Sequence, residues 1–517
     1  MSTTDPETIE RGSDRFLLTL DLAKMSRMGT VDQRFQSSNV EMIEVIGGRF
    51  WKPYNQNSVS QAPSSSRSSD ATPAGMDANL YQYRPPIDLS NPRLRKLAAA
   101  LGSAYVRVSG TWANTVYFHD SDEPQPATPP EGFNGVLTRQ QWKGVIDFVQ
   151  AIDAKLVTSF ATSSGTRDAA GDWTPDQARR LLDYTHTING NIAAAEFMNE
   201  PTYAAMGGAP KGYDAIAYGR DIEVFRSFIN QAAPEMLFLG PGSVGEGGAL
   251  TTAMGGSMLK TEDLLTATGS VFDVFSYHLY AAASQRCASM GADSQTTEAA
   301  ALSEEWLSSS DTIHAFYAKL RDRFEPGKPI WITETAESAC GGNPWASTFL
   351  DTFRYLDQHG RLAQRGVQVI AHNTLASSDY GLLDENTLEP RPNYWAALLW
   401  HQLMGTTVLN PGVSGVANLY LYAHSLRDRP GGVALLVINA DRQNSYDIAI
   451  PIPADRYTLT AQQLLDTTVL LNGRKLQVNS DGSVPQLVGS SVSPGHLRFE
   501  PTSITFLTML DAGNRSV

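Results

Sequence analysis

A (β/α)8 barrel joined to an antiparallel β-sandwich is the fold that this sequence predicts, and three features of its 517 residues predict it. Eight apolar, β-rich runs alternate with helix-length amphipathic stretches. The runs are apolar almost throughout, as strands of a parallel sheet buried on both faces must be. Beyond about Val408 the texture changes to short alternating runs separated by turn signals. A doubly wound sheet is the rival α/β arrangement, but eight units is the number that closes a barrel.

In chain order, FLLTLDL (16–22) reads as a strand and QSSNVEM (36–42) as the first barrel strand. A small, polar, turn-rich insert (60–75) follows and reads as a long loop. The remaining barrel strands are AYVRVSG (104–110), AKLVTSFAT (154–162), IAAAEFMNE (192–200), MLFLGPG (236–242), VFDVFSYHLY (271–280), PIWITET (329–335) and GVQVIAHN (366–373). Among the intervening stretches, TPDQARRLLDYTHTI (174–188) shows a capping residue followed by apolar residues at helical spacing. The C-terminal runs are NLYLYAHSL, GGVALLVINA, YDIAIPI, RYTLTA, VLLNGRKLQV and SITFLTML, with Asn472-Gly473 as a hairpin turn. The expected division is a catalytic barrel over 31–404 and a sandwich over 12–30 plus 405–517, to which FLLTLDL adds a strand.

Composition narrows the function classes. Hydrophobic residues at 42% with 18% charged is a globular balance, and no apolar run approaches the roughly 18 residues of a spanning helix. The net charge of −14 argues against nucleic acid and membrane surfaces as partners, because both reward clustered Lys and Arg. The first 14 residues hold no apolar signal-peptide core, so a cytoplasmic location is expected unless a leader has been removed. Two cysteines are too few for a disulfide scaffold or a cysteine-rich metal site. A GxGxxG match at Gly240 to Gly245 stands alone, with no acidic strand end at the required distance. Neither a GxSxG elbow nor a zinc-type histidine spacing is present, so oxidoreductase, serine-hydrolase and zinc chemistry are set aside.

Barrel enzymes carry their chemistry at the C-terminal ends of the strands. The fourth strand ends in Asn199-Glu200-Pro201 and the seventh in Thr333-Glu334-Thr335. A carboxylate closing an apolar run is costly unless it is paired or used. Two of them converging on one substrate are what retaining glycoside hydrolysis requires: a protonated acid for the leaving oxygen and an ionised nucleophile about 5–5.5 Å away. Asn199 is suited to hold a substrate hydroxyl beside the nucleophile. The pair completes the chemistry without a cofactor or a metal.

EFMNEP, WITETAESACGGNP and the segment VIAHNTLASSDYGLLDENTLEPRPNYWAALLWHQLMGTTVL resemble the heparanase and β-glucuronidase group, glycoside hydrolase family 79. The similarity runs from AYVRVSG through the sandwich. It implies a retaining mechanism with Glu200 as acid/base and Glu334 as nucleophile. By the same resemblance Arg107 lies beside the nucleophile, Tyr280 hydrogen-bonds it, and Gly341, Gly342 and Tyr380 grip the substrate carboxylate. Inward-turned N–H groups of such a turn form an anion nest without adding a titratable cation. His278 shares the strand face of Tyr280. Glu41, at the end of the first strand, is placed to hold sugar hydroxyls. The turn ETAESACGGN is one residue longer than its counterpart in the animal enzyme, adds Glu337, and is matched by Ser378-Asp379 before Tyr380 where that enzyme has Gly-Asn. These departures bear on the sugar preferred and leave the catalytic pair untouched.

Cys287 and Cys340 follow the sixth and seventh strands, so a disulfide between them is geometrically reasonable and would imply an oxidising, secreted or periplasmic location. No Lys or Arg occurs between Arg107 and Arg139, whereas Asp120, Asp122, Glu123 and Glu131 do. That balance, with an insert able to wall off the cleft, favours an exo-acting β-glucuronidase on a β-glucuronide or glucuronate-containing oligosaccharide. The alternatives are a heparanase-like endo-β-glucuronidase or hyaluronidase, a glycosidase for a neutral sugar, and, outside enzymes, an inactive carbohydrate-binding protein.

Overall fold

The computed structural model describes residues 17–54, 71–253, 258–412 and 415–517. Eight parallel strands close into a barrel: β1 Gln36–Glu41, β2 Ala104–Ser109, β3 Ala154–Ser159, β4 Ile192–Glu196, β5 Leu237–Ser243, β6 Val274–Leu279, β7 Ile330–Thr335 and β8 Val367–His372. Each is followed by a helix: α1 Pro92–Ala100, α2 Arg139–Ala151, α3 Asp176–Thr187, α4 Ala215–Ala232, α5 Thr261–Thr268, α6 Ser309–Phe324, α7 Phe349–Gln364 and α8 Pro392–Leu403.

Local chemistry sets the helix starts. Asn91 caps α1 ahead of Pro92, and Thr138 with Gln141 forms a capping box on α2. At α3 the expected cap does not form. Pro175 occupies the cap position, and the Thr174 hydroxyl donates instead to the Thr166 carbonyl at 3.0 Å.

Inside the barrel the two-residue strand period sorts the side chains. Tyr105, Val157, Ala194, Leu239, Val274, Trp331 and Val369 fill one apolar layer, while Val106 and Val108 face the helices. Above that layer the interior turns polar, and there the candidate residues lie. Strand β4 stops pairing at Glu196, so Phe197 to Glu200 are not strand as expected but a turn beyond it.

The C-terminal strands are β9 Met404–Leu409, β10 Leu419–Leu426, β11 Val433–Asn439, β12 Tyr446–Ile450, β13 Ala454–Thr460, β14 Leu470–Leu471, β15 Arg474–Lys475, β16 Ser490–Val492, β17 Gly495–Phe499 and β18 Ser503–Met509. The N-terminal strand Leu17–Thr19 joins β12 and β17 in a small sheet, and the other strands form the large one. Asn472-Gly473 turns the chain between β14 and β15. A second N-terminal strand, Arg27–Thr30, pairs with β9. Neither it nor β16 and β17 was expected: exposed edge strands carry no apolar alternation to betray them.

All seven residues of β11 are buried. Ala434, Leu436 and Ile438 share the barrel's core with Trp400 and Leu403, while Val433, Leu435 and Val437 pack with Ile448 and Phe499. At this joint, a Cβ on Gly360 of α7 would meet the Tyr422 ring at 2.2 Å. Gly360→Ala is therefore expected to cost about 1–3 kcal/mol despite its better helix propensity, read as a lowered urea midpoint.

Candidate active site

Arg107 stands at an inward position of β2, between Tyr105 and Ser109, with its side chain 2% exposed. Its Nη2 donates to Glu196 Oε2 at 2.9 Å and to Asn199 Oδ1 at 2.8 Å, and its Nη1 donates to Glu334 Oε2 at 3.0 Å. Glu196 also accepts from Ser276 Oγ at 2.7 Å and Thr333 Oγ1 at 2.6 Å. Burial raises its pKa, but Arg107 and these hydroxyls outweigh burial and hold it below the ordinary carboxylate value. Sequence reasoning missed Glu196. The available signal was an acid at inward parity in an otherwise apolar run. Glu196→Ala would leave the guanidinium buried with one partner fewer, and about 3–5 kcal/mol of stability is expected to be lost in denaturant unfolding.

Glu334 is presented where the register of β7 slips against both neighbours, the kind of irregularity that re-aims a side chain. Besides Arg107, the Tyr280 hydroxyl donates to its Oε1 at 2.8 Å. Glu200 sits four residues beyond β4 at φ +48°, the left-handed region that residues with a Cβ rarely adopt. The preceding backbone is clamped by Asn114, whose side-chain amide accepts from Asn199 N at 2.8 Å and donates to Asn199 O at 2.9 Å. Burial pushes the Glu200 carboxyl up to about 7, with Arg107 opposing and Glu196 adding to the rise.

His278 joins the two acids. Its Nδ1 lies 2.9 Å from Glu200 Oε1 and 3.6 Å from Glu334 Oε2, and its Nε2 lies 3.3 Å from Arg107 Nη2. Burial pulls its pKa down to about 4, so the ring is neutral near pH 7. With a cation donating to Nε2, the proton is assigned to Nδ1, facing Glu200. Ligand atoms of Glu200, His278 and Glu334 all lie within 4.8 Å of one another, a grouping able to hold a cation. Arg107 already places positive charge against two of the three.

These acids open into a cleft that Glu41, Glu200, Tyr280, Glu334, Asn373 and Tyr380 line. Glu41 is buried with no partner on Oε2. Burial and the neighbouring Glu334 push its carboxyl well above the ordinary range. Gly110, at φ +96°, passes so close that a Cβ there would fall 1.5 Å from Glu41 Oε2. Asn373 Nδ2 donates to the Tyr380 hydroxyl at 3.1 Å. Gly341 and Gly342 come directly after the wall residue Cys340 but are not themselves among the lining residues; they stand at φ +80° and +82°, and their carbonyls accept from Ser378 Oγ and Arg286 Nη2. Arg107, Asn199 and His278 lie beneath the floor.

Cys287 and Cys340 are bridged, with Cα atoms 6.5 Å apart, tying the loops after β6 and β7. The added Glu337 is structural: it accepts from Ser338 Oγ at 2.6 Å and Asn343 N at 2.8 Å, pinning the lengthened turn. Asp379 is taken by Arg286 at 2.7 Å. One expectation about charge needs correcting. Asp120 and Asp122 pair with Arg139, and neither they nor Glu123 or Glu131 line the cleft, because the chain carries that stretch away along α2's entry. The acidic side chains of the cleft lining are Glu41, Glu200 and Glu334. Of the insert, 60–70 lies outside the described residues, while Pro73 reaches the wall.

The chain is 26% identical over 478 residues to heparanase-like protein 1 of Arabidopsis thaliana, covering 82% of this chain and 85% of that one. It is 24% identical over 439 residues to the baicalin-β-D-glucuronidase of Scutellaria baicalensis, covering 78% and 79%. In fold it is similar to the GH51 arabinofuranosidase from Xanthomonas axonopodis pv. citri, at TM-score 0.63 and 15% identity over 95% of this chain and 99% of that one. The family model for the N-terminal domain of glycosyl hydrolase family 79 matches residues 85–360, more than half of the chain. With that match spanning β2 to β7 and both acids at their ends, the chain belongs to glycosyl hydrolase family 79 and is a glycoside hydrolase.

Proposed function

We propose that this enzyme is a retaining, exo-acting β-glucuronidase. One observation carries the mechanism: carboxylate oxygens of Glu200 and Glu334 lie within 4.8 Å of each other. That spacing suits direct attack, whereas an inverting pair stands roughly 6.5–9.5 Å apart to admit a water. Glu200, protonated near neutrality, gives its proton to the glycosidic oxygen. Glu334, oriented by Arg107 and Tyr280, attacks the anomeric carbon to form the glycosyl-enzyme. Glu200 then takes a proton from the water that releases the sugar. Glu41 and Asn373 are assigned to sugar hydroxyls, and the Gly341-Gly342 turn with Tyr380 to the substrate carboxylate. Asn199, Arg107 and His278 position the acids.

The relatedness to a baicalin-β-D-glucuronidase supports glucuronic acid as the sugar. Exo action is supported by the absence of lysine and arginine from the described cleft lining, since a long polyanion rewards a basic rim. The Cys287–Cys340 bridge suits an oxidising compartment. The test is to compare initial rates on an aryl β-glucuronide, an aryl β-glucoside and a sulfated oligosaccharide, with the product anomer read by NMR. Fast release of β-glucuronic acid with an inert polymer is expected. Inverted product, or polymer cleavage with an inert aryl glucuronide, overturns the reading.

A further inference from the structure

We infer that the Glu200 side of the cleft is a binding site for a neutral, planar, multi-ring phenolic aglycone. The inference rests on the glucuronidase reading for its sugar but on different residues for its aglycone. A general acid must reach the glycosidic oxygen, so the leaving group extends over whatever surrounds the Glu200 loop. That surrounding is apolar. Tyr203 and Met206 follow Glu200 on the same turn, Leu250 comes from the loop after β5, and Met290 from the loop after β6. Pro73, at the end of the insert, and Met76 just after it complete it, and residues 71–74 are tied down by Ala74 N donating to Met206 O at 3.2 Å and Trp112 Nε1 donating to Ala71 O at 3.2 Å.

Two features choose the ligand class. Met76, Met206 and Met290 are each only partly buried, and a monomer seldom leaves several thioethers together on a concave wall unless a ligand covers them. Methionine is flexible and polarizable and makes favourable contacts with aromatic rings, so the wall can adapt to rings of differing outline. Trp51 and Tyr81, on the same lining, stack at 4.5 Å, with Trp112 edge-on to Tyr81 at 5.9 Å, and give it a rigid aromatic face next to Met76. Secondly, Glu41, Glu200 and Glu334 are the described lining's carboxyl groups and no Lys, Arg or His stands among its residues, so no cation there compensates a sulfate or carboxylate on the aglycone.

The experiment uses glucuronides of phenols matched in acidity, so that leaving-group chemistry is constant: one ring, two fused rings, and two fused rings bearing a sulfonate. KM for the neutral two-ring substrate is expected to be about tenfold below that of the one-ring substrate, with the sulfonated one losing the advantage. Met206→Gln and Met290→Gln should each remove most of that advantage, raising KM for the neutral two-ring substrate several-fold more than for the one-ring substrate, and Met206→Leu should keep it. Equal KM across the series, or a preference for the sulfonated aglycone, overturns the inference. Should only glucosides be cleaved, the sugar assignment fails, and the same phenol series as glucosides still reads the aglycone site.

Discussion

Glu334→Gln is expected to lower turnover of an aryl β-glucuronide on the order of 10⁴-fold or more while affinity for the sugar survives. The amide keeps the shape of the side chain: its oxygen can accept from Arg107, which donates to one carboxylate oxygen at 3.0 Å, while its NH2 takes the place of the oxygen that accepts from Tyr280 at 2.8 Å and donates to that hydroxyl once it turns. What the amide lacks is the negative charge that the proposed attack on the anomeric carbon needs. Because the loss lies in the chemical step, it should appear in kcat, with inhibition by free glucuronic acid little altered. Azide added to Glu334→Gly should restore glycosidic cleavage and yield the α-azide, since a small anion then attacks from the vacated face. A β-azide, or an unchanged rate in Glu334→Gln, would remove Glu334 from the nucleophile's role.

The second large effect concerns Glu200 and pH. An ordinary glutamic acid has lost its proton by neutrality, whereas burial here lifts the group to about 7. Its acid form therefore persists up to that value and disappears as pH rises through it. The kcat/KM profile should accordingly fall on the alkaline side with an apparent pKa near 7. Glu200→Gln cannot lose a proton there, so that limb should vanish. The rate on a poor, alkyl leaving group should drop about 10³-fold, and far less on a strongly acidic phenol that departs without protonation. Equal losses for both leaving groups, or an alkaline limb that survives, would count against Glu200 as the acid.

Much of this was readable before any coordinates. Arg107 entered through the resemblance, beside the acid of the seventh strand, and in the structure its Nη1 donates to Glu334 at 3.0 Å inside the barrel. Asn199-Glu200 and Glu334 stood out because acids closing apolar runs need a partner. Edge strands β16 and β17 and the strand Arg27–Thr30 were not readable, since an exposed or one-faced strand leaves no alternation. Asn114 was equally hidden, because a polar residue after β2 gives no hint that it will hold the backbone of residue 199.

The sequence by itself determined the eightfold alternation, the sandwich that follows, and the two strands whose ends carry the acids, because burial periodicity and the cost of an unpaired charge are local properties of the chain. Only the tertiary structure decided how Arg107 is divided among Glu196, Asn199 and Glu334, that His278 bridges both acids, and that Met76, Met206 and Met290 share one wall. Those relations depend on barrel register and loop packing between segments far apart in the chain, and no local pattern records which distant side chain will arrive within hydrogen-bonding distance.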